Sequence, residues 1–252
     1  MGAERDIDTL GRWNRIKFVS LETKQFSVPD GGSKMDSDRF IDSFAPLVST
    51  HDASFNDFLR IYKESMVVRE QKSVAQISAM LTRPEYQILL LKRNDLTVGY
   101  SIVFALPRES FCLLEYIAIE AAHRNSGLGR KLFRRSVDNI FSKIGPVPVL
   151  LEVDSDGEPS ADQAMRKRRQ QFYRRLDCLR IGTLSYILPL PGEGAPPQMD
   201  LMVYFPEGAR VVSKQELQHW LEVIYREVYG CPDDDPRIMK MLKTVTDPIE
   251  IA

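Results

Sequence analysis

A glycine-rich turn between a predicted strand and a predicted helix is the feature that most constrains this chain. Residues 124–130 read Arg-Asn-Ser-Gly-Leu-Gly-Arg, after a strand-like run that ends at Ile119 and at the start of a helix near Gly127. The first N–H groups of such a helix lack intrahelical partners and face the positive end of the helix dipole. Glycine also lets phosphate oxygens approach the main chain closely. The turn therefore predicts an anion site, with an ordinary capped turn as the alternative.

Composition and motif spacing argue against several classes of function. A dinucleotide site needs Gly-x-Gly-x-x-Gly and a later acidic residue, a pattern that this turn does not match. The net charge of −1 over 252 residues gives no reason to expect a nucleic acid or membrane partner. No run approaches the ~20 apolar residues of a membrane-spanning helix. With 43% hydrophobic and 27% charged residues, the chain has the composition of an ordinary globular protein.

The cysteines and histidines predict no metal site. Cys112, Cys178 and Cys231 form no Cys-x-x-Cys pair, and the three histidines are scattered. An odd number of cysteines at such spacing suggests neither a disulfide framework nor a zinc site. The first residues also lack the apolar core of a signal peptide. We therefore expect a cytoplasmic protein without a metal ion.

Apolar periodicity predicts a defined order of helices and strands. The order is two helices, three strands, a helix, a strand, a helix and two strands. The helices are expected to begin near Ser54, Ser73, Gly127 and Ala161, and the strands are Tyr86–Lys92, Thr97–Leu106, Phe111–Ile119, Val147–Val153, Arg180–Leu188 and Asp200–Phe205. Asn94 and Asp95 predict a hairpin between the first two of these strands. An additional early strand is either Ile16–Leu21 or Phe40–Leu47.

Three regions are predicted along the chain. Residues 1–36 form a polar N-terminal segment, and residues 37–206 form the main domain. Residues 207–252 form a helical extension that packs on this domain. Its apolar stripe ends at Gly230, and a last helix is expected after Asp235 with a proline in its first turn.

The glycine turn resembles the coenzyme A loop of the GCN5-related N-acetyltransferase (GNAT) superfamily, which reads Gln or Arg, two residues, Gly, one residue, then Gly or Ala. Leu114–Ile119 is similar to the fourth strand of this family, and Phe172–Leu176 resembles the helix that carries its C-terminal signature. The resemblance covers about residues 53–205. It implies an α/β fold of the α+β kind, with a mixed, mostly antiparallel central sheet flanked by helices. It also implies an N-acetyltransferase that transfers an acetyl group from acetyl-CoA directly to an amine.

The resemblance further implies where acetyl-CoA, the co-substrate, would bind. The main chain of Ile117, Ala118 and Ile119 would lie beside the pantetheine arm, and the N–H group of Ile119 would polarise the thioester carbonyl. The pyrophosphate would bind the turn, whose implied contacts are Arg124, Asn125, Ser126, Gly127, Leu128, Gly129 and Arg130.

Tyr173 is the candidate general acid. It stands where members of the family place a tyrosine that points at the thioester sulfur. A phenol with a pKa of about 10 stays protonated at pH 7 and can donate to a departing thiolate. The alternative is an ordinary aromatic residue on the core-facing side of its helix.

Glu115 is the candidate general base. Counted by strand alternation, it lies on the same face as Ile117 and Ile119, which the resemblance sets beside the acetyl group. A carboxylate in an apolar strand is costly unless it is used or paired, and burial would raise its pKa toward the range of a base. The alternative is a carboxylate at the sheet end that is paired with an arginine. Weaker candidates for the base are Glu70, Asp154 and Asp156.

Two positions depart from the family pattern. Relatives usually have Gly-Phe after the tyrosine helix, whereas this chain has Asp177 and Cys178. Asp tolerates a left-handed conformation, so the turn is expected to survive. Many relatives place an Asn where this chain has Arg166, so the resemblance does not imply that contact to the cofactor here.

The acceptor is not specified by the sequence. The family acts on small molecules, peptides and proteins, and the fold does not choose among them. We therefore expect a small-molecule or peptide amine. A non-catalytic acetyl-CoA sensor or scaffold, and an enzyme that uses a longer acyl-CoA, are the alternatives, and a homodimer is left open.

Overall fold

The computed structural model describes residues 40–251, except residues 67, 158, 160, 191–197 and 209. The predicted N-terminal segment 1–36 and the candidate strand Ile16–Leu21 lie outside these residues. The other candidate for the early strand is observed as β1, Asp42–Leu47.

Helices and strands follow the predicted order in the described part of the chain. The other strands are β2 (Tyr86–Arg93), β3 (Leu96–Phe104), β4 (Cys112–Ile119), β5 (Val149–Asp154), β6 (Cys178–Arg180), β7 (Tyr186–Ile187) and β8 (Gln198–Tyr204). The helices are α1 (Phe55–Ser65), α2 (Val74–Thr82), α3 (Leu128–Ile144), α4 (Gln163–Arg174), α5 (Lys214–Val223) and α6 (Pro236–Leu242). None of these helices has the length and apolar character that crossing a bilayer requires.

The sheet confirms the predicted fold class. Its strand order is β1-β2-β3-β4-β5-β8-β6, and β7 also pairs with β8. Every neighbouring pair is antiparallel except β4 and β5, which are parallel. The parallel pair requires a crossover, and α3 provides it. The fold is therefore a mixed, mostly antiparallel sheet flanked by helices.

The predicted hairpin joins β2 and β3. Asn94 and Asp95 have φ angles of +48° and +66°. Two consecutive residues with positive φ match the strand twist in a two-residue hairpin turn, and Asn and Asp tolerate this conformation.

Helices cover both faces of the sheet. On one face, α3 and α4 pack on the strands through buried residues that include Phe133, Val137 and Tyr173. On the other face, α1, α2, α5 and α6 form a larger cluster around Phe58 and Trp220. These are called the α3/α4 face and the α1/α5 face below.

The C-terminal helices belong to the core of the α1/α5 face. Trp220 and Tyr225 are fully buried there. Helix α5 continues into a π-helical turn, Ile224–Val228, and α6 begins after Asp235, whose side chain accepts a hydrogen bond from the Arg237 N–H. The C-terminal segment therefore contributes directly to the face that it covers.

One predicted strand is divided in the structure. The sequence predicted a single strand from Arg180 to Leu188, whereas β6 and β7 are separated there. The C-terminal residues cross at this point, because Ile181 forms a bridge with Ile251 and the Gly182 N–H donates to the Glu250 carbonyl at 2.7 Å. A Cβ on Gly182 would lie 2.8 Å from that carbonyl oxygen. The C-terminal residues, which are distant in the sequence, thus interrupt the strand.

Candidate active site at the opening between two strands

Strands β4 and β5 separate soon after they begin. They pair only at Cys112 with Val149 and at Leu113 with Leu150. Beyond these pairs, the main chain of β4 is accessible to solvent. At Glu115 the side chain is 2% exposed although the residue as a whole is partly exposed, so the accessible surface is mostly main chain. The separation leaves an opening with an unpaired strand edge on the β4 side.

The free edge of β4 carries the main-chain groups of Ile117 and Ile119. The Glu120 N–H donates to the Val98 carbonyl at 2.8 Å on the β3 side. Main-chain groups alternate in direction along an antiparallel ladder, so Ala118 also faces β3 while Ile117 and Ile119 face the opening. An extended ligand could therefore pair with this edge as an added strand.

The predicted anion turn follows this edge at once. Asn125 and Gly127 have φ angles of +62° and +81°, and Gly127 precedes the first residue of α3. The N–H groups of Leu128, Gly129 and Arg130 lie in the first turn of α3, where no intrahelical acceptor is available. Their direction makes them donors for an anion at the helix start.

Arg124 is held at the end of β4. Its Nε atom donates to the Ile119 carbonyl at 2.9 Å, while the residue remains exposed. The guanidinium therefore adds positive charge beside the opening without being buried. Lys131, one turn further along, is instead paired with Asp42 at 2.6 Å.

The two glycines of the turn have different roles. Gly127 requires glycine because of its positive φ. Crowding is not the reason, because a Cβ added there would meet nothing within 4 Å. At Gly129 an added Cβ would lie 3.3 Å from the Phe172 ring. The glycine pattern predicts ligand access at both positions, whereas the Phe172 ring of α4 fills the space beside Gly129. Gly129 thus permits close packing of α3 and α4.

A β-bulge interrupts the alternation of side chains in β4. Val103 is paired with Leu114 and the next residue inward, Ile102, with Tyr116, so Glu115 is an extra residue. Leu114 packs on the α3/α4 face, but Tyr116 packs on the α1/α5 face. Bulges of this kind are known to redirect side chains next to active sites.

The bulge corrects the predicted direction of Glu115. Alternation placed Glu115 on one face with Ile117 and Ile119, but Ile117 packs on the α3/α4 face. Glu115 instead contacts Lys72, which also lies over the Tyr116 ring at 5.9 Å. Glu115 therefore points to the α1/α5 face. Strict alternation fails because one extra residue shifts every later side chain.

Lys72, rather than an arginine, neutralises Glu115. The Lys72 Nζ atom lies 2.7 Å from Glu115 Oε1, in an ion pair that does not meet hydrogen-bond geometry. Burial raises the pKa of the Glu115 carboxyl above its ordinary value, and the nearby Lys72 ammonium opposes this shift. Glu115 thus has a counter-ion within the fold.

Tyr173 lies on the opposite face of the sheet from Glu115. It is 8% exposed in the α3/α4 cluster, and its ring meets Phe172 edge to face at 5.1 Å. Burial raises the pKa of Tyr173 to about 12, so its hydroxyl stays protonated at neutral pH. The turn after α4 also forms without the usual glycine, because Asp177 adopts a φ of +64°.

Comparison with known proteins agrees with this geometry. Residues 54–176 match the acetyltransferase (GNAT) family model. This segment is a GNAT domain. A GNAT-family protein from Bacteroides thetaiotaomicron superposes with a TM-score of 0.59 and 22% identity, covering 75% of this chain and 99% of that chain. A chimera based on the spermidine N-acetyltransferase SpeG of Vibrio cholerae gives a TM-score of 0.51 and 13% identity, with 65% and 95% covered. These likenesses show the shared fold.

Two further findings concern curated sequences and metal ligands. No curated protein sequence matches the chain. In the part of the chain that the structure describes, no three His, Cys, Asp or Glu side chains are grouped as metal ligands.

The sequence analysis missed one carboxylate of the GNAT domain, Glu152 on β5. The Tyr186 hydroxyl donates to Glu152 Oε1, and the Tyr229 hydroxyl donates to Oε2 at 2.5 Å. Burial raises the pKa of Glu152 to about 7, against the two tyrosine hydroxyls, which lower it. A charged residue inside the apolar run Val147–Val153 was the available signal. Its tyrosine partners lie beyond the family match and could not be assigned from the sequence.

The weaker base candidates lie elsewhere. Asp154 ends β5 and is paired with Arg169. Asp156 lies in the bend after β5. The main-chain carbonyl of Glu70 accepts a hydrogen bond from the Tyr116 hydroxyl at 3.4 Å. Arg166, at the variant family position, is paired with Asp162 at 3.1 Å.

Proposed function

We propose that this protein is an acetyl-CoA-dependent N-acetyltransferase that transfers an acetyl group directly to a small-molecule or peptide amine. The observation that carries the proposal is the opening between β4 and β5. The predicted anion turn follows the free edge of β4, Tyr173 lies on the α3/α4 side of the sheet, and Glu115 lies on the α1/α5 side. The acyl donor and the amine acceptor can therefore approach the opening from opposite faces of the sheet.

The donor half of the proposal rests on main-chain groups. The N–H groups of residues 125–130 would bind the pyrophosphate, with Arg124 adding charge. The edge at Ile117 and Ile119 would pair with the pantetheine arm. The N–H of Ile119 would then stabilise the oxyanion that forms on the thioester carbonyl.

The chemical step needs one proton donor and one proton acceptor. The neutral amine attacks the thioester carbon, a C–N bond forms and the C–S bond breaks. Tyr173 is proposed to protonate the departing thiolate, which the pKa of about 12 leaves it able to do. Glu115 and Glu152 are the candidates to accept the proton of the incoming ammonium.

We also propose that residues 37–206 form the catalytic domain and that residues 207–252 extend it. Trp220 and Leu221, both fully buried in the core of the α1/α5 face, support this organisation. The extension would then form part of the acceptor side of the enzyme.

Acceptor-dependent thiol release tests the proposal. Purified full-length protein is titrated with acetyl-CoA by calorimetry, and free thiol is then followed with tyramine, spermidine and a lysine-containing peptide. Release that depends on both substrates supports the transferase. Tight acetyl-CoA binding with no amine-dependent release would favour a sensor, and faster release from a long-chain donor would favour a different acyl group.

A further inference from the structure

Glu115 and Glu152 occupy matching positions on the two sides of the opening. The last paired residues of β4 and β5 are Leu113 and Leu150, and each glutamate lies two residues further along its strand. Leu113 and Leu150 both pack on the α1/α5 face, so side chains two residues later also point there. The opening is thus bordered by two carboxylates on the face away from Tyr173.

The two carboxylates differ in charge balance. Glu115 is only 2% exposed and contacts the Lys72 ammonium at 2.7 Å. Lys72 lies 5.9 Å from the centre of the Tyr116 ring and 5.9 Å from that of Tyr229. The aromatic faces and the carboxylate together stabilise the lysine cation. Glu115 is therefore already neutralised and has little attraction left for a second cation.

Within the described residues, the hydrogen-bond donors to Glu152 are neutral. Tyr186 and Tyr229 each donate one hydroxyl hydrogen, one to each carboxylate oxygen. An ionised carboxylate has about four acceptor sites, so each oxygen keeps capacity for another donor. Glu152 as a whole residue is partly exposed, whereas Tyr186 is buried. The carboxylate is thus oriented through both oxygens at the border of the opening.

The groups around Glu152 come from several elements. Tyr186 belongs to β7, Tyr229 follows the π-helical turn, and Glu115 and Lys72 contribute charges of opposite sign. Tyr116 and Tyr225 are near enough to feel its charge. Glu115 and burial favour the protonated form of Glu152, while Lys72 and the hydroxyls favour the ionised form. This balance leaves it ready to exchange a proton near neutral pH.

We propose that Glu152, rather than Glu115, binds the acceptor ammonium and removes its proton, and that Tyr229 of the C-terminal extension positions this carboxylate. The inference rests on the proposed transferase function. Glu152 accepts one proton from the ammonium and passes it to solvent. After attack, the nitrogen loses its surplus proton to solvent, Tyr173 protonates the departing thiolate, and the Tyr173 phenolate regains a proton from solvent, so the products are an amide and a free thiol.

Glutamine substitutions at both positions test this assignment. Glu152→Gln and Glu115→Gln keep the shape of the side chain and remove its charge, and Glu207→Gln on an exposed turn controls for the change itself. With the fastest acceptor of the amine panel, Glu152→Gln should lower kcat/KM about 100- to 10,000-fold. The wild type should show kcat/KM rising with pH through a midpoint near that of Glu152, about 7. Glu115→Gln should keep this rise with its midpoint at lower pH, because the Glu115 charge favours protonated Glu152, and Glu152→Gln should lose the rise. Circular dichroism and acetyl-CoA affinity establish that each variant is folded.

The positioning role of Tyr229 has a separate readout. Tyr229→Phe removes one hydrogen bond to the carboxylate and keeps the ring over Lys72. Loss of this donor should shift the kcat/KM midpoint to higher pH by about half a unit or more, since hydrogen bonds favour the charged form. Carbon NMR of δ-¹³C-glutamate-labelled protein, with the Glu152 signal identified by its loss in Glu152→Gln, should show the same shift without turnover.

The outcomes separate the inference from the function that it extends. If the wild type and Glu115→Gln turn over and Glu152→Gln is equally active with the same pH profile, Glu152 is not the base. An unchanged NMR midpoint in Tyr229→Phe would remove Tyr229 as its positioning residue. If acetyl-CoA binds but no protein in the series releases thiol with any amine, the transferase function fails and the base assignment fails with it.

Discussion

The two faces of the sheet build their halves of the site in different ways. The α3/α4 face offers mainly main-chain groups from one continuous stretch, residues 117–130, with Tyr173 nearby. The α1/α5 face offers side chains from four separate segments: Glu115, Glu152, Lys72 and Tyr229. Main-chain binding does not depend on side-chain identity, so the donor half can be shared with relatives of low identity. The acceptor half can differ freely, and specificity is expected to arise there.

The largest expected effect tests whether the α3/α4 face acts through any side chain. Tyr173→Phe should lower kcat about 10- to 1000-fold, because the thiolate would leave without its proton donor. The Kd for acetyl-CoA should change less than twofold. Tyr204→Phe is the matched control, since Tyr204 packs on Phe133 in the same cluster. Full activity of Tyr173→Phe would mean that this face contributes main-chain groups and that Tyr173 is not the general acid.

The next effect tests the charge balance of the α1/α5 face. Lys72→Met should leave Glu115 buried without its counter-ion and destabilise the protein by about 3 kcal/mol at pH 8. The loss should shrink at pH 5, because a carboxyl with a raised pKa is then protonated and uncharged. Denaturant unfolding measures both values. The double variant Lys72→Met with Glu115→Gln should recover most of the stability. If it does not, the loss in Lys72→Met comes from packing and not from the unpaired charge of Glu115.

A smaller effect concerns Glu152 and pH. Its folded-state pKa is raised to about 7 from 4.5, so the stability that it contributes is complete below pH 4.5 and is lost as the pH rises through 7. Glu152→Gln has no such charge, so its stability relative to the wild type should rise by about 2 to 3 kcal/mol between pH 4.5 and pH 8. Urea unfolding at the two pH values checks this. A difference that does not vary with pH would contradict the buried-charge explanation.

The smallest effect separates ligand binding from helix strain. Gly127→Ala places a residue with a side chain at a backbone φ of +81°. The resulting distortion of the turn should weaken acetyl-CoA affinity about fivefold. Gly145→Ala imposes similar strain, at a φ of +83°, at the other end of α3. The control should lose stability and keep its affinity for acetyl-CoA. Equal affinities in the two variants would mean that the turn does not bind the donor.

Local patterns explain what could be predicted. Ser73, near which the sequence predicts the start of a helix, caps α2 in a capping box with Gln76, and Asp235 caps α6 before Pro236. Such signals depend on residues a few positions apart. The glycine turn belongs to the same class, because the strand before it and the helix after it are both read from nearby residues.

Register and long-range contacts explain the rest. Glu115 was assigned to the wrong face because the bulge depends on how β3 pairs with β4. Glu152 had the sequence signal of a charge in an apolar run, but its role depends on Tyr186 and Tyr229. The packing of Phe172 on Gly129 likewise depends on how α3 and α4 meet.

By itself, the sequence determined the order of elements and the anion turn at Arg124–Arg130, because periodicity, caps and glycine spacing act over a few residues. The tertiary structure alone decided that β4 and β5 separate after two pairs and that two glutamates border the opening. It also decided that Glu115 pairs with Lys72 while Glu152 accepts from two tyrosine hydroxyls, since ion pairs and hydrogen bonds join residues that are distant in the chain. The proposed donor half therefore depends on residues that are close in the sequence, and the proposed acceptor half depends on contacts that form only in the folded protein.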